Sequence, residues 1–230
     1  MHFEWGWAGL REAGRQADVV VVVDVMSFST TVTVAAERGV LVHPHRAHDP
    51  YAARVAERLG AVLAGPRGAG VSLSPASMTG LEAGRRVVLP SPNGAALSLE
   101  AARSGATVVA GCLRNASAVS QFLAGHGGRV VVVAAGEKWR DGQDRFAVED
   151  LLGAGAVMSA MAPDSLSSEA RVAVGAFQAA AADLEPLLRS CTSGRELVAR
   201  GADDDVTWAA ALDSSPVVPV LRDGSFRPLA

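Results

Sequence analysis

Five consecutive valines at positions 19–23 form the strongest apolar signal in the chain, too short for a helix and without the alternation of a half-wetted strand. Such a run fits a strand covered on both faces, as in a parallel sheet. Similar short runs recur at 40–42, 61–63, 86–89, 107–109 and 129–133, and we read them as strands. Between them the apolar positions fall into helical spacing at 31–38, 50–59, 95–103, 116–123 and 148–161. This alternation predicts an α/β domain. After Pro163 the pattern is mainly helical, over 166–188 and 195–199, until an extended segment at 216–221 in which Pro219 suits an edge strand better than a central one. Nothing resembling a linker divides the 230 residues, a length that one core can serve, so a single domain over 1–230 is expected.

A weak repeat runs through the first half. A strand, then Asp24-Val25-Met26-Ser27, a helix, Arg38-Gly39 and a strand are echoed by a strand, Ser91-Pro92-Asn93-Gly94, a helix, Ser104-Gly105 and a strand. Two such units in one sheet would place both polar loops at the same edge, although βα units in general share this outline.

Composition narrows the field. Hydrophobic residues make up 49% and charged residues 20%, as in an ordinary soluble domain, and the net charge of −3 is scattered, without the basic stripe that nucleic acid requires. No apolar run approaches the roughly 20 residues of a membrane helix. The opening Met1-His2-Phe3-Glu4-Trp5 lacks a signal-peptide pattern, and two cysteines, Cys112 and Cys191, make no disulfide framework. A cytoplasmic protein with neither nucleic-acid nor membrane partners is expected. The macromolecular partner left open is a second copy, through Trp5 and Trp7.

Candidate chemistry gathers where strands give way to helices, the ends at which open α/β sheets bind ligands. Asp24 follows the valine strand and precedes Ser27, Ser29, Thr30 and Thr31 at a helix start. A carboxylate there can hold Mg²⁺, and the hydroxyls and free N–H groups suit phosphate oxygens; the same residues can simply cap the helix. Asn93-Gly94 tolerates a turn with positive φ, and its amide can orient a phosphate or a metal-bound water. At a third junction, Cys112 reads as a small buried apolar residue, Asn115 as a helix cap and Arg114 as a partner for an anion. A fourth cluster runs from Gly136-Glu137-Lys138 through a polar loop to Glu149-Asp150 at a helix start, where the dipole favours acids. Gly153 and Gly155 on that helix imply close packing against the sheet.

Several phosphate chemistries fail on spacing. A haloacid-dehalogenase-type phosphatase needs Asp two residues beyond the first, where Met26 stands. A cysteine phosphatase needs Arg six residues past its Cys, where Ala118 and Leu197 stand. The stretch Gly65-Pro66-Arg67-Gly68-Ala69-Gly70 carries neither a phosphate-loop Lys-Ser/Thr nor the dinucleotide glycine spacing.

In order along the chain these junctions resemble the 2-phosphosulfolactate phosphatase family of Mg²⁺-dependent acid phosphatases. The matching residues are Val23-Asp24-Val25-Met26 with Ser29-Thr30-Thr31, Gly65 with Arg67, Pro92-Asn93-Gly94, Asn115-Ala116-Ser117-Ala118-Val119, Glu149-Asp150-Leu151-Leu152 with Ala154-Gly155, and Val218-Pro219-Val220 with Asp223-Gly224. The resemblance implies a three-layer α/β/α fold with a mixed, largely parallel sheet and two related βα halves. It implies a Mg²⁺ phosphatase of a small phosphorylated acid, with Asp24, Asn93, Glu149 and Asp150 catalytic and Asp24 with one or both of Glu149 and Asp150 holding the metal. Ser27, Ser29, Thr30, Arg67, Gly94 and Arg114 are then the expected substrate-binding residues. Several family positions differ: Ser27 and Ala96 stand where members carry arginine, Phe28 where they carry alanine, Ala95 where they carry threonine, and Pro66 stands in place of a glutamate. A diverged member acting on another small anion is the alternative that these losses keep open.

Overall fold

The computed structural model describes residues 1–229. Its nine-stranded sheet is built from β1 (His2–Trp5), β2 (Val19–Val23), β3 (Leu41–Arg46), β4 (Val62–Leu63), β5 (Arg86–Ser91), β6 (Thr107–Gly111), β7 (Val130–Ala134), β10 (Pro219–Arg222) and β11 (Ser225–Pro228), with β8 (Glu137–Lys138) and β9 (Asp144–Arg145) forming a separate hairpin. The strand order is β1-β7-β2-β6-β10-β11-β3-β5-β4. The set β1, β7, β2, β6 is parallel, as is the set β3, β5, β4, while β10 and β11 join the two through antiparallel ladders. The fold is mixed α/β with helices packed on a largely parallel sheet.

The helices are α1 (Gly6–Ala13), α2 (Phe28–Glu37), α3 (Ala52–Leu59), α4 (Gly94–Ala102), α5 (Ala116–His126), α6 (Val148–Met158), α7 (Ser168–Ala180), α8 (Leu184–Ser190), α9 (Thr192–Ala199) and α10 (Asp203–Ala210). The valine strand shows why both faces are apolar. Val19, Val21 and Val23 pack with α5, α6 and α7, whereas Val20 and Val22 pack with α2 and α4.

Both halves of the sequence repeat are present as β2-α2-β3 and β5-α4-β6, and each crosses from one parallel set to the other. The first strand of each unit therefore pairs with the second strand of the other: Val19 to Val23 lie beside Thr107 to Gly111, and Leu41 to Arg46 beside Arg86 to Ser91. Three antiparallel steps separate the sets, so they run in opposite directions. The two loops do meet, as the Gly94 N–H on Asp24 shows, but not as neighbours along one edge of a flat sheet. In a flat sheet β2 and β5 would stand about 24 Å apart, five spacings of about 4.8 Å. A helix about 10 Å wide could not touch both, yet α4 packs on β2 and β6 as well as β3 and β5. The sheet bends round α2 and α4, and the helix starts converge.

Other departures have local causes. Pro219 begins β10, a central strand, where a first-residue proline loses little of the ladder. The helix expected over 166–188 divides at 181–183 because the Pro186 ring cannot follow a continuous helix but is tolerated in the first turn of α8. Trp5 stacks near Phe146, ring centroids 4.9 Å apart, and Arg46 lies over Trp7 at 5.4 Å, so both tryptophans serve contacts within the chain. No helix among the described residues is long and apolar enough to cross a membrane.

Candidate active site

Asp24 is the first residue beyond β2 and is buried, 5% exposed. Its Oδ1 accepts the N–H of Phe28 at 3.2 Å and its Oδ2 the N–H of Gly94 at 2.8 Å. These are the first residues of α2 and α4, so one carboxylate faces the positive ends of two helices. Position 94 admits no side chain: a Cβ there would lie 2.4 Å from Phe28 Cδ1 and 2.7 Å from Asp24 Oδ2. The capping and functional readings of Asp24 therefore describe one geometry, which also draws the two repeat units together.

Asn93, immediately before Gly94, donates its amide to Glu137 Oε2 at 3.0 Å. Glu137 starts the β8–β9 hairpin, just past β7. From the opposite side the start of α6 arrives, with Glu149 and Asp150 in its first turn. Gly153 allows this approach, since a Cβ there would come within 2.6 Å of Val25 Cγ2. Gly155, expected to pack on the sheet, instead lets α7 close in, where a Cβ would lie 2.1 Å from the Ala173 carbonyl oxygen. Asp150 accepts the N–H of Val25 at 2.8 Å and that of Gly136 at 2.9 Å. It ties the Asp24 loop to the Glu137 loop.

Four carboxylates thus share a small volume. Burial lifts the Asp24 carboxyl above its ordinary range against the opposing N–H bonds, and nearby Glu149 adds to the rise. Burial, then the Asp24 and Glu149 charges, raise Asp150 well above that range. Glu137 is pushed up to about 7, first by desolvation and then by Asp24. The Cys191 thiol, 3.5 Å from Glu149 Oε2, is pushed up to about 11 by burial and by that glutamate.

Two of the four, Asp24 and Glu137, open onto a cavity of about 380 Å³ whose lining also includes Ser27, Asn93 and Arg67. Arg67 Nε donates to Asp205 at 2.8 Å while another guanidinium nitrogen donates to the Ser27 hydroxyl. Lys138, Arg140, Arg145, Ser193, Glu196 and Arg200 line the remainder. Four expected substrate-binding residues are placed otherwise or act indirectly. Ser29 and Thr30 are fully buried, their hydroxyls donating to the carbonyls of Val22 at 2.9 Å and Val25 at 2.8 Å, which fixes the turn instead of facing a ligand. Arg114 is buried against Glu37 at 3.3 Å and over Trp208 at 5.0 Å, outside the cavity lining. Gly94 contributes its N–H to Asp24. Glu149 and Asp150 also lie behind the cavity wall rather than on it.

A hard divalent cation such as Mg²⁺ takes one or two carboxylates and completes its shell with water and phosphate oxygens. Among the described residues no three His, Cys, Asp or Glu side chains are grouped to hold a metal between them. Of the three carboxylates lining the cavity, Glu196 is paired with Arg145, while Asp24 and Glu137 have no ion-pair partner, and the Asp24 charge opposes the ionisation of Glu137, which a cation would relieve. The donor chemistry therefore fits Mg²⁺ at two ligands. Asp150, with both oxygens engaged by backbone N–H groups, fits a positioning role better than the ligand role expected of it.

A bent α/β sheet thus brings carboxylates and an asparagine at converging helix starts to a cavity also lined by arginine and lysine. The family model for 2-phosphosulpholactate phosphatase matches residues 8–224. The chain belongs to the 2-phosphosulfolactate phosphatase family. A probable 2-phosphosulfolactate phosphatase of Deinococcus radiodurans is 32% identical over 92% of this chain and 90% of its own. One of Carboxydothermus hydrogenoformans is 31% identical over 87% and 84%, and one of Pseudothermotoga lettingae is 29% identical over 94% and 95%.

Proposed function

We propose that the protein is a Mg²⁺-dependent phosphoric monoester hydrolase acting on a small phosphorylated acid, in the manner of 2-phosphosulfolactate giving sulfolactate and phosphate. The observation that carries this is the pair of cavity-facing carboxylates, Asp24 and Glu137, beside the Asn93 amide. Asp24 and Glu137 would hold the ion, which when bound neutralises phosphoryl charge and polarises the phosphorus centre. The Phe28 and Gly94 N–H groups fix the Asp24 carboxylate, and Asn93 fixes Glu137. Arg67, resting on Ser27, brings a guanidinium to the neighbourhood of a position where family members carry arginine, where it can pair with phosphate oxygens.

The test is phosphate release from a panel of phosphorylated hydroxy acids, including 2-phosphosulfolactate, with Mg²⁺ and with EDTA. Metal-dependent release from at least one member is expected; no release from any, or release unaffected by EDTA, overturns the reading. The absence of arginine at Ser27 and Ala96 favours a second reading, in which the preferred substrate is another small phosphorylated anion and phosphosulfolactate turns over poorly.

A further inference from the structure

Asp205 is a buried acid from a part of the chain that lends nothing else to the carboxylate cluster. It stands in the first turn of α10, where Asp203 and Asp204 beside it are exposed and already place acids at the positive helix end. Burial of a third carboxylate, 3% exposed, needs another cause, because such a group leaves water only where it is paired. Its partners come from a loop far earlier in the sequence. Asp205 Oδ2 accepts from Arg67 Nε at 2.8 Å, across 138 positions, and Oδ1 accepts from the Ser74 hydroxyl.

The loop depends on that tie. Over 65–70 every residue except Arg67 is exposed, and Gly68 and Gly70 both hold a φ of +85°. Its backbone bonds stay local, the Gly65 N–H to Val71 at 2.8 Å and the Ala69 N–H to Pro66 at 3.2 Å. Among the described residues only the Arg67 side chain carries hydrogen bonds from 66–70 to distant parts of the chain, to Asp205 and to Ser27. A guanidinium holds five N–H donors in one rigid plane. With Nε fixed on Asp205 and another nitrogen on Ser27 that plane is set, and three donors remain at the cavity wall without a partner among the described residues.

We propose that Asp205 is a positioning residue, which acts through Arg67 to aim the guanidinium at the phosphoryl oxygens of the bound ester. The assignment rests on the phosphatase reading. Charge and orientation make opposite demands of this carboxylate. It lies beside the cation and repels an incoming anion, so by charge alone its removal strengthens phosphate binding. Its removal also frees the arginine and its loop, whose ordering must then be supplied on binding, and that weakens phosphate binding. The positioning role requires the second effect to exceed the first.

Calorimetric titration of the full chain with inorganic phosphate, in the presence of Mg²⁺, tests this without turnover. Asp205→Asn is nearly the same size and keeps one acceptor oxygen, and circular dichroism checks that each variant is folded. Phosphate affinity should fall about 10-fold, although the variant carries one negative charge fewer. In an Arg67→Ala protein the same substitution should cause no further loss, since the two residues act as one unit. Asp205→Glu keeps the charge but displaces the carboxylate by one methylene, and it too should weaken binding while Arg67 is present. Affinity that is unchanged or raised in both Asp205 variants overturns the proposal. An equal further loss in the Arg67→Ala protein also overturns it, because Asp205 would then support the fold at large. So does a lack of phosphate binding by the unchanged protein. Binding that follows the expected pattern in a protein that releases no phosphate from any ester would overturn the phosphatase reading and leave the Asp205–Arg67 unit standing.

Discussion

The Asp150 carboxylate accepts the backbone N–H of Val25 at 2.8 Å, joining positions 125 residues apart in sequence. Its other oxygen takes the N–H of Gly136, so one buried side chain fixes the loops that present Asp24 and Glu137. Asp150→Ala would leave two buried N–H groups without acceptors, at about 1–3 kcal/mol each, partly offset by removing one charge from an acidic cluster. The expected outcome is a net loss of roughly 2–4 kcal/mol in unfolding free energy together with a lower kcat. Chemical denaturation with steady-state kinetics checks it, and an unchanged midpoint would show that Asp150 does not hold the loops.

Asp24→Asn separates metal binding from folding. The strand it terminates is held by five buried valines, and an amide oxygen can still accept one of the two helix N–H groups. The protein should stay folded, with a loss of about 1–3 kcal/mol for the one N–H left without an acceptor, offset in part by removing a buried charge, while Mg²⁺ affinity falls and Mg²⁺-dependent phosphate release drops by about a hundredfold or more. A metal titration that gives the same affinity in both proteins would remove Asp24 from the ligand set.

How far the sequence reveals the site depends on how local each determinant is. The five valines, the polar residue ending each strand and the small residues on α6 are local signals, and they led to Asp24, Asn93 and the Glu149-Asp150 turn. The bending of the sheet is not local. It arises because each repeat unit crosses between two opposed sets of strands, so only the structure shows why Asp24 meets Gly94. Glu137 stood in a noted cluster, Gly136-Glu137-Lys138, but its place beside Asn93 depends on that convergence. Ser29 and Thr30 lie close to Asp24 in sequence, yet a helix turns its residues about 100° apart, and these two face the interior. Of the cations from α9 and the β8–β9 hairpin, only Lys138 lies in the Gly136-Glu137-Lys138 cluster; Arg140, Arg145 and Arg200 belong to no motif.

The pH behaviour of the metal-free protein follows from Glu137. Its folded value of about 7 lies above its ordinary 4.5, so the folded state binds the proton more tightly than the unfolded chain does. The stability this contributes is fully present below pH 4.5 and is lost as pH rises to about 7. In EDTA, Glu137→Gln should therefore match the unchanged protein at acid pH and exceed it by about 1–3 kcal/mol above neutrality, after discounting for partial solvent screening. Saturating Mg²⁺ should reverse that order at neutral pH, because only the ionised glutamate gains from the metal. A difference between the two proteins that does not vary with pH would show that Glu137 ionises normally.

Arg67 bears on the missing family arginines. Its Nε is anchored to buried Asp205 at 2.8 Å, and its guanidinium reaches the Ser27 hydroxyl at the cavity wall. A cation near position 27 is thus supplied from another loop. Arg67→Ala should raise KM for the phosphorylated substrate about 10-fold to 100-fold, the scale of one charge-assisted hydrogen bond. Installing arginine by Ser27→Arg alone should not improve turnover, since the new guanidinium would crowd and repel the one already there. Combined with Arg67→Ala it should recover part of the lost affinity. If Ser27→Arg by itself raised kcat/KM on 2-phosphosulfolactate, Arg67 would not be serving as the replacement cation, and its ion pair with Asp205 would be structural only.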